Sequence, residues 1–375
     1  LAAAGLEAWA VESPAQSPGR LIVLFLRGGF DGLFAFAPSA DFRLGELRPQ
    51  LARTVIANGI GLGDTGFAAH PEAKALADLY AARELAFAAC AGTIDTSRSH
   101  FQAQDIFELG NGASHGPSGF MARAAQALGG GSAITFTPEL PLCFQGGATA
   151  PEVAPLAGSG LRLPEGRALQ AIRRAHAGRT TGDALDQAAA TAAEIDAAMT
   201  AQPPADRGAP RADGLGGTAE AMGRLLRANP RLTLAFVELG GFDTHANEEA
   251  VLARQLRALG DGLVRLKSAL GDTEWRRTRL AVMSEFGRTA RENGTGGTDH
   301  GHGGLFFVAG GSVAGGRMLG DFAGLADAAL NEQRDLPVLA DWRDLLAACM
   351  GEVCGIGDRT LDAVFPGRPR QRFRI

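Results

Sequence analysis

Leu21-Ile22-Val23-Leu24-Phe25-Leu26 is an unbroken apolar run that stops at Gly28-Gly29 and is followed at once by Phe30-Asp31-Gly32. An alternating apolar–polar strand has one wet face. A continuous β-rich run of this length instead predicts a strand buried on both faces, which points to a sheet covered by helices on either side. The pattern recurs. Leu85 to Ala91 ends at Gly92, Leu232 to Leu239 ends at Gly240-Gly241-Phe242-Asp243, Arg279 to Met283 is followed by Ser284-Glu285, and Gly304 to Ala309 ends at Gly310-Gly311. Helical periodicity falls between the runs. Ala73, Leu76, Leu79 and Tyr80 share a face in Pro71 to Arg83, and Val251 to Leu270 carries Leu252, Leu256, Leu259, Leu263, Leu266 and Leu270 at spacings of three and four. Strands alternating with helices predict an α/β fold with three α/β/α layers and a mostly parallel central sheet.

The 52 glycines in 375 residues are about twice the usual ~7% share. Those at the strand ends predict sharp turns with closely approaching backbone. The segment at about 148–229 differs from the rest. It is rich in Ala, Arg, Pro and Gly and shows no clear strand, so it is expected to be a helical insertion with a loop near Pro203 to Gly217. Residues 20–375 otherwise read as one domain. Residues 1–19 contain small residues at Ala8 and Ala10 with the spacing of a signal-cleavage site, and are expected to be the remnant of an export signal.

A net charge of −5 argues against a nucleic-acid binder, and no apolar stretch is long enough to span a bilayer. Four cysteines without Cys-x-x-Cys spacing give no structural zinc site and are expected as free buried thiols. There is no P-loop, no Gly-x-Ser-x-Gly elbow and no dinucleotide fingerprint, and lysine occurs only at positions 74 and 267.

Chemistry is concentrated where the strands end. Asp31 follows the first run, Asp243 and His245 the third, and Glu285 the fourth, while Asp299, His300 and His302 occupy the loop before the fifth. Each has an ordinary reading alone. Asp31 could be a helix N-cap, Glu285 could pair with Arg288, and Asp299 to His302 could be a polar turn. Together they bring carboxylates and imidazoles to one sheet edge, the place where open α/β sheets bind ligands. Such a collection needs a cation. One or two divalent ions are expected, Zn²⁺ or Mn²⁺ for mixed nitrogen and oxygen donors, Mg²⁺ or Ca²⁺ where carboxylates dominate. Thr96-Ser97-Arg98-Ser99-His100-Phe101 follows the second run and opens a helical stretch, so a hydroxyl there is placed for capping, anion binding or nucleophilic attack.

These segments resemble the exported bacterial domain-of-unknown-function proteins of the alkaline-phosphatase-like (sulfatase and phosphoglycerate-mutase) superfamily, many of which carry twin-arginine signals. The matching motifs are Phe25 to Leu33, Ser97 to Asp105, Asp243-Thr244-His245, Ser284 to Thr289 and Gly297 to Gly301, with Asp341 to Leu346 resembling the terminal helix. The resemblance implies an alkaline-phosphatase-like fold and a hydrolase of phosphate or sulfate esters. Asp31 would then hold one metal. Asp243, His245 and His300 would hold the other, Glu285 would replace a metal-binding aspartate, and Asp299 or His302 would make up for an imidazole replaced by Phe286. Ser99, or alternatively Ser97, would be the nucleophile, with Arg98 and His100 assisting and Arg288 and Ser97 near the substrate. The expected partner is a small-molecule or polymer-borne anionic ester, and the expected location is the periplasm or outside the cell. The alternative is a binding protein that keeps the fold and a metal but has lost turnover.

Overall fold

The computed structural model describes residues 19–129, 133–137, 140–147, 151–153 and 215–375. Apart from Gly19, the expected leader lies outside the described residues, as does most of the expected insertion. Among the described residues a nine-stranded sheet forms the centre. Its strands are β1 (Arg20–Leu26), β2 (Leu85–Gly92), β3 (Ala133–Thr135), β4 (Glu152–Val153), β5 (Leu234–Leu239), β6 (Thr278–Met283), β7 (Gly304–Ala309), β8 (Arg317–Met318) and β9 (Ala340–Asp341). The order is β8-β2-β7-β6-β1-β5-β3-β4, with β9 also pairing β2. Helices α1 (Lys74–Ala81), α2 (His100–Leu109), α3 (Phe120–Ala127), α4 (Leu215–Ala228), α5 (Glu248–Arg276), α6 (Trp342–Cys354) and α7 (Asp358–Val364) cover it.

The unbroken apolar character of β1 is explained by its place in the middle of the sheet. Leu24 stands in register between Val237 of β5 and Val282 of β6. Ile22, Leu24 and Leu26 face the layer built by α1, α4 and α5. Leu21, Val23 and Phe25 face the opposite layer of α3, α6 and α7, where Phe25 stacks on Phe107 of α2 at 4.2 Å between ring centroids. The side-chain period of two thus feeds two cores at once. Each such fully buried side chain is worth about 1.5–3 kcal/mol. The six leucines of α5 named above are all buried. The three-layer α/β/α expectation holds.

Pairing with both β2 and β6 makes β7 the antiparallel member. This reversal matters for the site. Because β7 runs backwards, the loop that precedes it emerges at the same edge as the loops that follow β1, β2, β5 and β6. Two expectations are corrected here. Residues 215–217 are helical, not loop, and α4 buries Leu215, Met222 and Leu226 in the layer beneath the sheet. The stretch also contains a strand, β4, which pairs in parallel with β3. At three and two residues, β3 and β4 are too short to mark a strand in sequence. All four cysteines are free and buried.

Candidate metal centre

The turns at the sheet edge are locked to one another by backbone. Gly28 N–H donates to Glu285 Oε1 at 2.9 Å, and Phe242 N–H donates to the Arg27 carbonyl at 3.3 Å. Gly28 has φ +123°, and a Cβ there would stand 2.4 Å from the Asp243 nitrogen. The glycine pair therefore lets the β1 turn sit directly against the β5 turn that carries Asp243.

Ligand atoms of His100, Asp243 and His300 all lie within 4.8 Å of one another. His300 is the hub. Its Nε2 is 2.9 Å from His100 Nε2, 3.0 Å from His245 Nε2 and 3.2 Å from Asp243 Oδ1. Asp243 Oδ1 is also 2.9 Å from His245 Nε2 and accepts from Arg288 Nη1 at 2.9 Å. Behind the rings, every Nδ1 faces an acceptor. His100 Nδ1 donates to Glu285 Oε1 at 2.8 Å, His245 Nδ1 to Asp299 Oδ1 at 3.2 Å, and His300 Nδ1 to the Arg98 carbonyl at 3.0 Å. With the Nδ1 protons so committed, the neutral rings turn lone pairs toward one another, and lone pairs at 2.9–3.0 Å repel. One proton could bridge one of these contacts but not both. An outer acceptor on each imidazole is what metal-ligating histidines use to fix tautomer and direction. The donor set of imidazole nitrogens and a carboxylate fits Zn²⁺ or Mn²⁺. About 44% of the Asp243 and His245 side chains is exposed, against 23% for His100, so the cluster is open on the Asp243 and His245 side.

Electrostatics follow the contacts. The hydrogen bond to Glu285 raises the His100 pKa, whereas burial lowers that of His300. Burial would raise the Asp243 carboxyl, but the Arg288 guanidinium holds it below its ordinary value. Glu285 is fully buried and likewise held down against burial by its donors: His100, Gln104 Nε2 at 2.9 Å and Ser284 Oγ at 2.8 Å.

The remaining expected site residues have other partners. Asp31 does not join the cluster. It is 1% exposed, grips Arg48 through both oxygens at 2.6 and 3.2 Å, and accepts from Leu33 N and Phe34 N as the cap of the short helix Gly32–Ala35. A metal ion at Asp31 does not fit, because Arg48 already supplies the positive charge there. Glu285 stands behind His100 rather than beside its Nε2. His302 is buried, with Nε2 on the Thr93 carbonyl at 2.7 Å and, among the described residues, no partner for Nδ1, and it is not one of the converging ligands. Asp299 reaches the cluster through His245. The Arg98 guanidinium is taken by Glu332 at 2.7 Å and Asp335 at 3.1 Å, so the residue meets the site through its carbonyl. Ser97 Oγ donates to Asp95 Oδ2 at 2.8 Å. Ser99 is the N-cap residue of α2, its side chain makes no capping bond, and its chain neighbour is His100. The Arg288 side chain is buried, with Nε on Thr298 Oγ1 at 3.2 Å and, among the described residues, no partner for Nη2.

Two contributors were not singled out from the sequence: Arg48, and Gln104, whose amide oxygen accepts from Arg27 Nη1 at 2.8 Å while its NH₂ group serves Glu285. Position 104 lies one helical turn after His100, on the same face of α2, and that spacing was the available signal.

No curated protein matches the chain. Among solved structures the chain is similar to Ps i-CgsB in complex with k-i-k-neocarrahexaose (12% identity, 92% of this chain and 74% of that one, TM-score 0.40). It is also similar to a Bacteroides thetaiotaomicron VPI-5482 protein described provisionally as a sulfatase (10% identity, 95% of this chain and 76% of that one, TM-score 0.37). A family model matches residues 95–365, a span that holds Ser99, His100, Asp243, Glu285 and His300, and the chain accordingly belongs to the family described as Protein of unknown function (DUF1501).

Proposed function

We propose that this chain is an exported, metal-dependent hydrolase of phosphate or sulfate esters that uses Ser99 as its nucleophile. One observation carries the reading: three imidazoles turn Nε2 atoms and one carboxylate into a common, solvent-open space while each Nδ1 is tied to its own acceptor. His100, Asp243 and His300 would hold the ion, with His245 at its open side. A divalent ion held there supplies Lewis acidity and lowers the pKa of a neighbouring hydroxyl.

The rest of the chemistry falls to the chain. Ser99 Oγ is free of the helix it caps, and the α2 N-terminus beside it favours anionic oxygens. In the proposed step Ser99 Oγ bonds to phosphorus or sulfur and the ester bond breaks. The leaving alcohol takes up the proton that Ser99 loses, and water then cleaves the Oγ ester and restores the hydroxyl. Arg288 fixes Asp243 and adds positive charge at the base of the site. Arg98 positions His300 rather than the substrate. Residues 20–375 form one domain on this reading, and the leader directs the protein to the periplasm or beyond. Among the described residues no helix is long and apolar enough to cross a membrane.

A second reading, metal binding without turnover, is favoured by Phe286. Its ring lies 4.9 Å from that of His100 and 5.1 Å from that of His300, and fills space with carbon where a further imidazole would add a ligand. Metal analysis together with hydrolysis of aryl phosphates and aryl sulfates in Zn²⁺, Mn²⁺, Ca²⁺ and Mg²⁺ separates the readings. Ser99→Ala is expected to lose roughly 10³-fold or more in kcat while keeping its metal. Equal turnover in Ser99→Ala and wild type would reject the nucleophile, and a chain that takes up no divalent ion would reject the centre.

A further inference from the structure

Next to the metal centre lies a solvent-open cleft of about 220 Å³, bounded by Leu47, Arg291, Asp299, Leu330 and Arg334. Its two walls are pinned. Thr289 and Asp335 form an antiparallel bridge, Ala290 N–H donates to the Arg334 carbonyl at 2.9 Å, and buried Arg48 holds the Thr289 and Ala290 carbonyls at 2.7 and 3.0 Å. The backbones of Arg291 and Arg334 are therefore fixed beside each other.

The charges in and around this cleft are unevenly used. Glu292 accepts from the Gln50 and Leu51 backbone, Asp299 is bonded to His245 and Asn293, and Glu332 and Asp335 are both held by Arg98. Among the described residues neither the Arg291 nor the Arg334 guanidinium has a hydrogen-bonded or ion-pair partner. The acids have their hydrogen bonds elsewhere, and although Arg334 lies in the field of Asp299, Glu332 and Asp335, both guanidinium groups keep their N–H donors available. A planar guanidinium matches a tetrahedral oxyanion through paired N–H donors.

We propose that this cleft is a subsite for a second anionic group, a sulfate or phosphate ester carried on the same substrate molecule as the group at the metal centre. Asp299 joins the two sites: it borders the cleft and bonds His245 of the cluster. The favoured substrate is then a multiply charged polymer or oligomer, not a lone monoester. This inference rests on reading the metal centre as the reacting end.

Equilibrium binding tests it without turnover, so a failed hydrolase reading leaves the measurement intact. The probes are a dextran sulfate oligomer and a polyphosphate of similar charge, with unsulfated dextran as the blank, titrated into metal-loaded protein. In Arg291→Gln/Arg334→Gln the Kd for the recognised probe should rise roughly tenfold or more, with metal content unchanged. Arg359→Gln/Arg372→Gln removes the same charge away from this cleft and should leave Kd near wild type. Tight binding of one probe over the other assigns the group as sulfate or phosphate. Equal losses in the two double variants, or no loss in Arg291→Gln/Arg334→Gln, would overturn the proposal.

Discussion

His100 Nδ1 and Glu285 Oε1 lie 2.8 Å apart in the wall of the sheet edge, and this contact decides which nitrogen His100 presents. A buried carboxylate that takes the Nδ1 proton leaves Nε2 as the donor to a cation. Glu285→Gln keeps the shape but removes the charge, and its amide NH₂ competes with the donors already there. The expected outcome is a roughly 10–100-fold loss of metal affinity with the fold intact, read by chelator competition and circular dichroism. Unaltered affinity would mean that Glu285 does not orient His100.

Gln104 extends that chain outward, from Arg27 through the amide to Glu285. Because Arg27 fixes the amide oxygen, the NH₂ group must face Glu285. Gln104→Ala removes one donor but leaves Arg27 its pairs with Glu108 and Glu238 at 2.7 and 2.6 Å. Metal affinity should fall by a smaller factor than in Glu285→Gln, about 3–10-fold, with little change in Tm. A Tm loss of many degrees without a change in affinity would assign Gln104 to stability alone.

Asp31 and Arg48 make a different prediction. Both side chains are about 1% exposed, so removing one partner strands the other charge in the interior. Asp31→Asn should cost about 3–5 kcal/mol in chemical denaturation. Metal content should stay at one ion per chain, while Asp243→Asn and His300→Ala lose it. Loss of metal in Asp31→Asn without loss of stability would put a second ion at Asp31 after all.

The same pair sets a pH dependence through Glu248. Burial and the neighbouring Asp31 carboxylate push Glu248 up to about 9 from 4.5, while Arg48 holds Asp31 below its ordinary value against burial. Between pH 4.5 and about 9 the folded chain keeps a proton on Glu248 that the unfolded chain has released. Stability from this group is therefore complete below pH 4.5 and declines as pH rises toward 9, by at most about 1.4 kcal/mol per pH unit. The Asp31 contribution has the opposite sign, present above the ordinary aspartate range and lost as pH falls through its lowered value. Glu248→Gln should flatten the neutral-to-alkaline decline, measured by denaturant unfolding from pH 5 to 9. A decline as steep as in wild type would clear Glu248 of the effect.

How far these features were legible in sequence follows from their physics. β1, β2, β5, β6 and β7 announce themselves because a strand buried on both faces keeps an apolar run, its few polar residues, such as Arg20, Glu238, Thr278 and Arg279, falling toward the ends. β3 is buried as well, but its three residues are too few to form a run that stands out. Asp243, His245 and His300 could be placed together because each adjoins a strand end. The partner of Asp31 could not, since Arg48 follows the short helix Arg43–Leu47 and no period links positions 31 and 48. His302 shows the opposite failure: it shares a loop with His300, but two residues further on the backbone turns its ring under the loop to Thr93.

The glycines supply the last prediction. A Cβ on Gly287 would stand 2.1 Å from the Gly303 carbonyl oxygen and 2.7 Å from Gly304 Cα, both backbone atoms that cannot rotate aside. The segment displaced is the one carrying His300, held to Gly287 by bonds from Gly287 N to the His302 carbonyl at 3.0 Å and from Gly301 N to the Gly287 carbonyl at 2.9 Å. Gly287→Ala should therefore lose metal affinity and about 1–3 kcal/mol of stability together, since overpacking here moves a ligand. Gly294 sits in the neighbouring turn with nothing within 4 Å of the added carbon among the described residues, and Gly294→Ala should change neither. Calorimetric metal titrations and melting curves on the two variants measure both quantities. If Gly287→Ala bound metal like wild type, the close backbone approach would be incidental to the site, and the glycine in the loop after β6 would be only a turn residue.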